Sequence, residues 1–230
     1  MSLKADVESV RDFTIASLAA AHDHFVYAKK LWRVADVEVR RRGRRIILSN
    51  PVTGSRIAEN DLLLIAQTSA NEYLPSATIQ QFTSLAETFL TDVLRLWLSA
   101  YPLHLKGQMD VQAIVAAPDK DAILRQFIDQ YVLSMGYKRP SEWFKHLNAI
   151  VSLGAPTQSD VEQFSELKAT RDALVHSRGV ATAIYIEKAA ALARTSVGKP
   201  LDIPENYVHD SWRICRKIVV DVGTAAAARA

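Results

Sequence analysis

The sequence predicts an all-α fold, a bundle of several helices. Gly and Pro, the two residue types that most often interrupt helices, number only 8 each among 230 residues. Apolar residues return every three or four positions along most of the chain, which is the spacing of one helical face. With 49% hydrophobic and 23% charged residues, the composition is that of a globular protein able to bury a core.

The first predicted element is a long helix over residues 5–32, where neither Pro nor Gly interrupts the apolar repeat. His22 and His24 lie in this helix on either side of Asp23. Residues two apart point to different sides of a helix. The pattern therefore favours surface or core-edge histidines over a metal site.

The helical pattern breaks at residues 33–57. Val37–Val39 and Ile46–Leu48 are typical of short extended pieces around a Gly turn, which predicts a short β-hairpin near residues 37–48. An extension of the first helix is the open alternative for residues 33–57. Five arginines surround Gly43 and make this the most basic part of the chain. They predict either a solvated loop or an arm that contacts RNA phosphates. These residues are Arg40, Arg41, Arg42, Arg44 and Arg45.

Further helices are predicted downstream, with Pro or Gly at several of their ends. Ser76 is suited to cap the second of them, and a connector over residues 103–117 precedes the third. The alanine-rich C-terminal end is expected to fray. We expect one domain over 1–230, with a motif-bearing core at 76–196 between an N-terminal part (1–75) and a C-terminal helix (205–230). The predicted helices span 58–70, 76–101, 119–135, 141–152, 158–177, 180–195 and 205–220.

Charge and cysteine content restrict the setting. The formal net charge of +3 is compatible with nucleic acid without demanding it. Cys215 is the only cysteine, so no intramolecular disulfide can form and a reducing compartment is favoured. No apolar run approaches about 20 residues, and the N-terminus lacks the apolar segment of a signal peptide. We expect a cytoplasmic protein without a membrane partner.

The helix predicted over 158–177 carries the residues that point to chemistry. At 100° per residue, Arg171 falls in the middle of an apolar arc and His176 lies at its edge. An isolated buried charge is costly, so the guanidinium must be paired or must face a cleft or an interface. Asp172 precedes His176 by four positions, so their side chains can touch. The arc contains Val161, Phe164, Leu167, Leu174 and Val175.

The run from Arg171 through Asp172 to His176, followed by Gly179 and another predicted helix, resembles the signature of the HEPN superfamily. That signature is an arginine, a polar residue, a short spacer and a histidine near the end of a helix in an all-α domain. The surrounding sequence is similar to the RiboL-PSP-HEPN branch and related bacterial branches. The resemblance covers residues 76–196, about half the chain.

The resemblance implies a metal-independent endoribonuclease without a cofactor. RNA supplies its own nucleophile, the 2′-hydroxyl, and the products would be a 2′,3′-cyclic phosphate and a 5′-hydroxyl. His176 would transfer protons, Arg171 would bind the strained phosphate, and Asp172 would orient the imidazole ring. HEPN domains pair so that two motifs face one cleft, so a homodimer through the motif-bearing helices is expected.

Several neighbouring residues have two open interpretations. Glu87, on the helix predicted to pack against the motif, either holds Arg171 or His176 or is a plain surface glutamate. Arg178 either contacts the RNA backbone or is solvated. Ser177 and Thr170 flank the motif and are candidate phosphate contacts.

The resemblance also suggests a biological role. We expect a toxin, an antiviral effector or a stress effector whose partners are RNA and an antitoxin or defence-system protein. The alternative is a catalytically inactive HEPN-like module that dimerises or binds a nucleotide or a partner. An unrelated helical domain, in which Arg171 and His176 hold helices together, is the third interpretation.

Overall fold

The computed structural model describes residues 2–42, 48–105, 119–136 and 138–230, with the side chains of Arg42 and Glu59 not included. The described residues form an all-helical bundle, which confirms the predicted fold class. Arg44 and Arg45, the predicted extended piece at 46–48 except for Leu48, and most of the predicted connector lie outside the described residues.

Helix α1 (Leu3–Arg42) is longer than predicted. The expected extended piece at 37–39 is wrong, because the helix continues through it. Two intrahelical ion pairs explain the difference: Arg40 Nε lies 2.9 Å from Asp36, and Arg41 Nη2 lies 3.1 Å from Glu38. Spacings of three and four residues suit such pairs only on a helix.

The second segment is almost one continuous helix. Helix α2 (Glu59–Thr68) passes through a π-helical turn (Ser69–Tyr73) into helix α3 (Leu74–Ala100), so Ser76 lies inside the helix and does not cap it. Pro75 cannot donate to the carbonyl four residues earlier, and the widened turn before it accommodates that loss. Helix α2 is only partly buried: Leu62 is 8% exposed and Leu64 is 63% exposed.

Three of the remaining helices begin and end within one residue of the predicted positions, but the helix predicted over 180–195 covers only Ala183–Ala189. The C-terminal helix runs further than expected and does not fray, because Val222, Ala226 and Ala227 are buried in the core. These helices are α4 (Lys120–Gly136), α5 (Pro140–Val151), α6 (Gln158–His176), α7 (Ala183–Ala189) and α8 (Glu205–Ala227). Short 3₁₀ turns occupy Pro102–His104 and Ala190–Leu192.

Helices α1, α3 and α8 pack against one another and form the centre of the bundle. Helix α6 packs against α3, α5 and α8, and α7 packs on the outer side of α6. A second, smaller apolar cluster lies between α6 and α7. The small side chains of Ala169 and Ala173 let Tyr185 and Ala189 of α7 approach closely. This cluster fixes α7 beside the last two turns of α6.

None of the helices in the described ranges combines the length and apolar character needed to cross a bilayer.

A pair of histidines joins α1 to α8. His22 Nε2 lies 2.8 Å from His209 Nδ1, and the His22 ring stacks on Trp212 with centroids 4.6 Å apart. Beyond them, Glu205 accepts from Lys29 at 3.1 Å. Burial, with the nearby His209 ring and in spite of Asp23, lowers the pKa of His22 below its ordinary value. The fold therefore favours the neutral imidazole.

This environment predicts a pH-dependent loss of stability. Because the pKa of His22 is lower in the folded than in the unfolded chain, the unfolded state binds more protons as the pH falls below about 6.5. The free energy of unfolding should decrease in that range. We expect His22→Gln to flatten this decrease in urea unfolding at pH 7.5 and 5.5. His24→Gln, which changes an exposed histidine on the same helix, should keep the wild-type slope. Equal slopes for wild type and His22→Gln would contradict the assignment.

Candidate active site

Hydrogen bonds define both ends of helix α6, and the motif lies in its last two turns. At the N-terminus, Thr157 and Asp160 form a capping box in which each side chain bonds to the other residue's backbone N–H. At the C-terminus, the N–H groups of Ser177 and Gly179 both donate to the carbonyl of Ala173, at 2.9 and 3.0 Å. Gly179 adopts φ +73°, where a glycine costs least. The helix therefore ends at His176, as its glycine stop predicts.

The last turn of α6 leaves the core. Phe164 and Leu167 are buried, but Val175 is 47% exposed and His176 is exposed too. Leu174 still packs against the core, so Val175 is the member of the apolar arc that is exposed. The motif lies at the surface end, within reach of solvent.

A cleft of about 310 Å³ opens between the end of α6 and α7, here called the motif cleft. Asp172 and His176 line it from α6, and Lys188 and Ile184 line it from α7. Ser177 and Thr182 complete its polar wall. The full lining is Ala169, Asp172, Ala173, His176, Ser177, Thr182, Ile184, Tyr185 and Lys188.

His176 stands at this cleft without a protein partner. Its ring makes no hydrogen bond to any residue in the described ranges, and it carries the helix C-terminus behind it. The imidazole is therefore accessible to a ligand.

Asp172 bonds to cations and not to His176. Its Oδ2 accepts from Lys188 Nζ at 2.9 Å, and its Oδ1 accepts from Arg171 Nη1 at 3.1 Å. The predicted Asp172–His176 contact is absent from the described structure, because these two cations take both carboxylate oxygens. Burial alone would raise the pKa of Asp172. The hydrogen bonds and charges of Lys188, Lys168 and Arg171 outweigh burial and lower that pKa, so the carboxylate stays ionised.

Arg171 does not line the motif cleft, but its guanidinium is bound to Asp172, which does. Its side chain is 26% exposed, and among the described residues its ion pair is with Asp172. The Nε–H is buried and has no acceptor among the described residues. An unsatisfied buried donor costs about 1–3 kcal/mol. The guanidinium thus keeps hydrogen-bonding capacity that the described protein groups do not use.

Glu87 serves neither of its two predicted roles. It is largely buried on α3 and forms an ion pair with Lys168, whose ammonium also lies 5.5 Å from the centre of the Trp143 ring. Lys168 lies about one helical turn before Arg171 on α6, and its ammonium binds the Glu87 carboxylate. Glu87 therefore anchors α6 to α3 and touches neither Arg171 nor His176.

Of the arginines predicted to bind RNA, those that the structure describes do not line the motif cleft. Arg178 is exposed in the turn after α6, with φ 53°. Arg40 and Arg41 lie at the end of α1 in ion pairs with Asp36 and Glu38 and line no part of the motif cleft. The side chain of Arg42, together with Arg44 and Arg45, lies outside the described residues.

Thr170 is a structural residue and not a phosphate contact. Its hydroxyl is fully buried, donates to Glu166 at 2.8 Å and accepts from Arg194 at 3.1 Å. Glu166 also accepts from Tyr185 Oη at 3.1 Å and from Tyr207 Oη at 2.8 Å. This network ties α6 to α7, α8 and the segment around Arg194. No local pattern predicts this network, because Tyr185, Arg194 and Tyr207 lie 19 to 41 residues from Glu166 in the chain.

Two residues of the site were missed from the sequence. Lys188 reaches Asp172 only because α7 folds back onto α6. Thr182 lines the motif cleft and caps α7 by accepting from the Tyr185 N–H at 3.2 Å. A Thr three residues before an aromatic on a predicted helix is a capping signal, but nothing local links Lys188 to the motif.

Comparison with family models, curated proteins and solved structures finds no match for this chain. Within the described ranges, no group of three or more His, Cys, Asp or Glu side chains is arranged to hold a metal ion.

Proposed function

We propose that the protein is a metal-independent endoribonuclease of the HEPN type that acts as a homodimer. The observation that carries this proposal lies at the end of α6: His176 is exposed, has no hydrogen-bond partner among the described residues and lines a cleft together with Asp172, which holds the guanidinium of Arg171. The proposal also rests on the sequence resemblance around these two residues. A toxin or defence effector with an antitoxin partner is the role that resemblance implies.

The chemistry needs few groups. A 2′-hydroxyl attacks the adjacent phosphorus as its proton is removed, the P–O5′ bond breaks, and the leaving 5′-oxygen takes up a proton. Imidazole suits both proton transfers because its ordinary pKa is about 6.5. A guanidinium suits the phosphate because it stays charged and donates two parallel bonds to phosphate oxygens. In this chain His176 would supply the first function and Arg171 the second.

One motif supplies one histidine, whereas removal and donation of a proton are best served by two. A second copy of the chain, with its α6 facing the first, would place two imidazoles and two guanidinium groups in one cleft. Ile184 lines the cleft and Val175 lies in the last turn of α6; both are apolar, 61% and 47% exposed respectively, and support this arrangement. A twofold partner would cover them.

The experiment is RNA cleavage in the presence of EDTA, with the product ends determined by enzymatic labelling. We expect cleavage that ends in 2′,3′-cyclic phosphate and 5′-hydroxyl groups. A single 2′-deoxynucleotide at a mapped cut site should block cleavage there, because the nucleophile is gone. An Arg171→Ala/His176→Ala protein purified in the same way is the control for contaminating nucleases. Equal cleavage by that double variant would refute the proposal.

The second candidate is a non-cleaving module that binds RNA or a partner protein. The observation that favours it is the engagement of Arg171 and Lys188 by Asp172, which leaves the cations partly neutralised in the free protein. On this alternative the wild-type protein would bind RNA or a partner without cutting any RNA in the same assay.

A further inference from the structure

Lys188 occupies a position between two cavities. It lines the motif cleft and also a neighbouring groove of about 340 Å³. Its side chain is 32% exposed, and its ammonium is held 2.9 Å from Asp172. The groove on its other side is bordered by polar side chains of α5 and α6. They include Ser141, Gln158 and Ser165, and the groove also holds Glu162 and the ion pair of Arg139 with Glu187.

The position of Lys188 is fixed by the packing of α7. Tyr185 and Ala189, on either side of it in the sequence, are 2% and 4% exposed and pack on Ala169 and Ala173. Thr182 caps the start of the same short helix. The lysine stem therefore projects from a well-anchored helix, and only its ammonium has freedom to change partner.

The local charges do not cancel. Asp172 is one carboxylate, and it faces the two cations Arg171 and Lys188, so the group keeps a net positive charge at the cleft. Of the neighbouring acidic residues, Glu87 on α3 is paired with Lys168, and Glu187 on α7 is paired with Arg139. An anion entering the cleft would gain from both cations and would compete with Asp172 for them.

We propose that Lys188 is a second phosphate-binding residue of the motif cleft, which exchanges its bond to Asp172 for one to an RNA phosphate. This inference rests on the proposed function for the identity of the anion. Asp172 is then a positioning residue, because it holds Lys188 and Arg171 close together until the phosphate arrives.

The test measures binding of a short fluorescent single-stranded RNA by anisotropy, in the His176→Ala protein so that nothing is cut. The dissociation constant is followed from 50 to 200 mM salt. We expect Lys188→Gln to weaken binding about 10-fold at low salt and to reduce the slope of log K against log salt by about 0.7, the value for one phosphate contact on a single strand. Lys188→Arg should restore most of the affinity and most of the salt-dependence slope.

Two controls make the result specific. Lys145→Gln removes one positive charge from an exposed position on α5 that lines neither cavity, and it should leave the slope unchanged. Lys188→Gln also frees the Asp172 carboxylate, which would itself repel RNA. The substitution is therefore repeated in the Asp172→Asn protein, where no carboxylate is freed, and the loss of slope should persist there.

The outcomes separate this inference from the proposed function. An unchanged slope for Lys188→Gln in the Asp172→Asn protein would overturn the role of Lys188, whether or not the wild type cleaves RNA. A reduced slope in a protein whose wild type cuts no RNA would support the phosphate site and refute the nuclease. Absence of RNA binding by the His176→Ala protein would overturn the Lys188 proposal directly.

Discussion

Substitution of His176 by alanine should lower the rate of RNA cleavage by about 10²- to 10⁴-fold, the range for loss of a general acid or base. Arg171→Ala should lower it by about 10²- to 10³-fold, as for loss of one group that stabilises the transition-state charge. The cleavage rate of Arg171→Lys should lie between those of the wild type and Arg171→Ala, because lysine keeps the charge and lacks the paired donors of arginine. The measurement is the single-turnover rate in EDTA.

These losses should not come from unfolding. His176 is exposed and makes no hydrogen bond to the described residues, and Arg171 gives up one partly exposed ion pair, which is worth about 0–1 kcal/mol. Thermal midpoints should therefore stay within a few degrees of the wild type. His24→Ala, at an exposed histidine on α1, should leave the rate unchanged. Equal cleavage by wild type and His176→Ala would exclude the assigned role.

Removing the carboxylate of Glu166 should cause the largest loss of stability among the polar residues discussed. Glu166 is 6% exposed and accepts from Tyr185, Tyr207, Thr170 and Arg194. Glu166→Ala leaves these donors without their shared acceptor and Arg194 without its ion pair. We expect a loss of about 3 kcal/mol in the free energy of unfolding. For a chain of this size that corresponds to a fall of about 6–12 °C in Tm.

The matched control is Glu162→Ala, one turn earlier on the same helix. Glu162 is exposed and accepts a hydrogen bond from the Gln158 side chain at 2.9 Å. Its loss should change the free energy of unfolding by less than about 0.5 kcal/mol. Similar destabilisation by the two substitutions, measured by urea unfolding, would show that the Glu166 network adds nothing to stability. In Glu166→Gln the side-chain carbonyl oxygen can still accept two hydrogen bonds. Its free energy of unfolding should therefore lie between those of the wild type and Glu166→Ala.

The helices were predictable because the pattern that forms them is local. Stops at Pro102 and Gly136, and the glycine after His176, appear in the sequence at the places where the helices end. The failures have a common cause, which is stabilisation from outside the pattern. Residues 37–39 are one example, because their alternating valines predicted a strand. Ion pairs with Asp36 and Glu38 stabilise the helical conformation of α1 there.

The site was predictable only in part, for the same reason. The periodicity of α6 identified Arg171 and His176 as unusual, and the structure brings both to one end of that helix. Contacts between helices were not encoded locally. Lys168 forms an ion pair with Glu87, and Lys188 forms one with Asp172. Thr170 donates to Glu166 within its network. Each of these arrangements depends on a partner that only the fold places nearby.

The central claim is that two copies of the motif form one catalytic cleft. It is tested most directly by a heterodimer of one wild-type chain and one Arg171→Ala/His176→Ala chain, isolated with two different affinity tags. The wild-type homodimer, tagged in the same way, is the reference. We predict that the heterodimer cleaves RNA at less than a tenth of the homodimer rate per wild-type chain. A heterodimer with the full rate per wild-type chain, or a chain that forms no dimer and still cleaves RNA, would contradict the account.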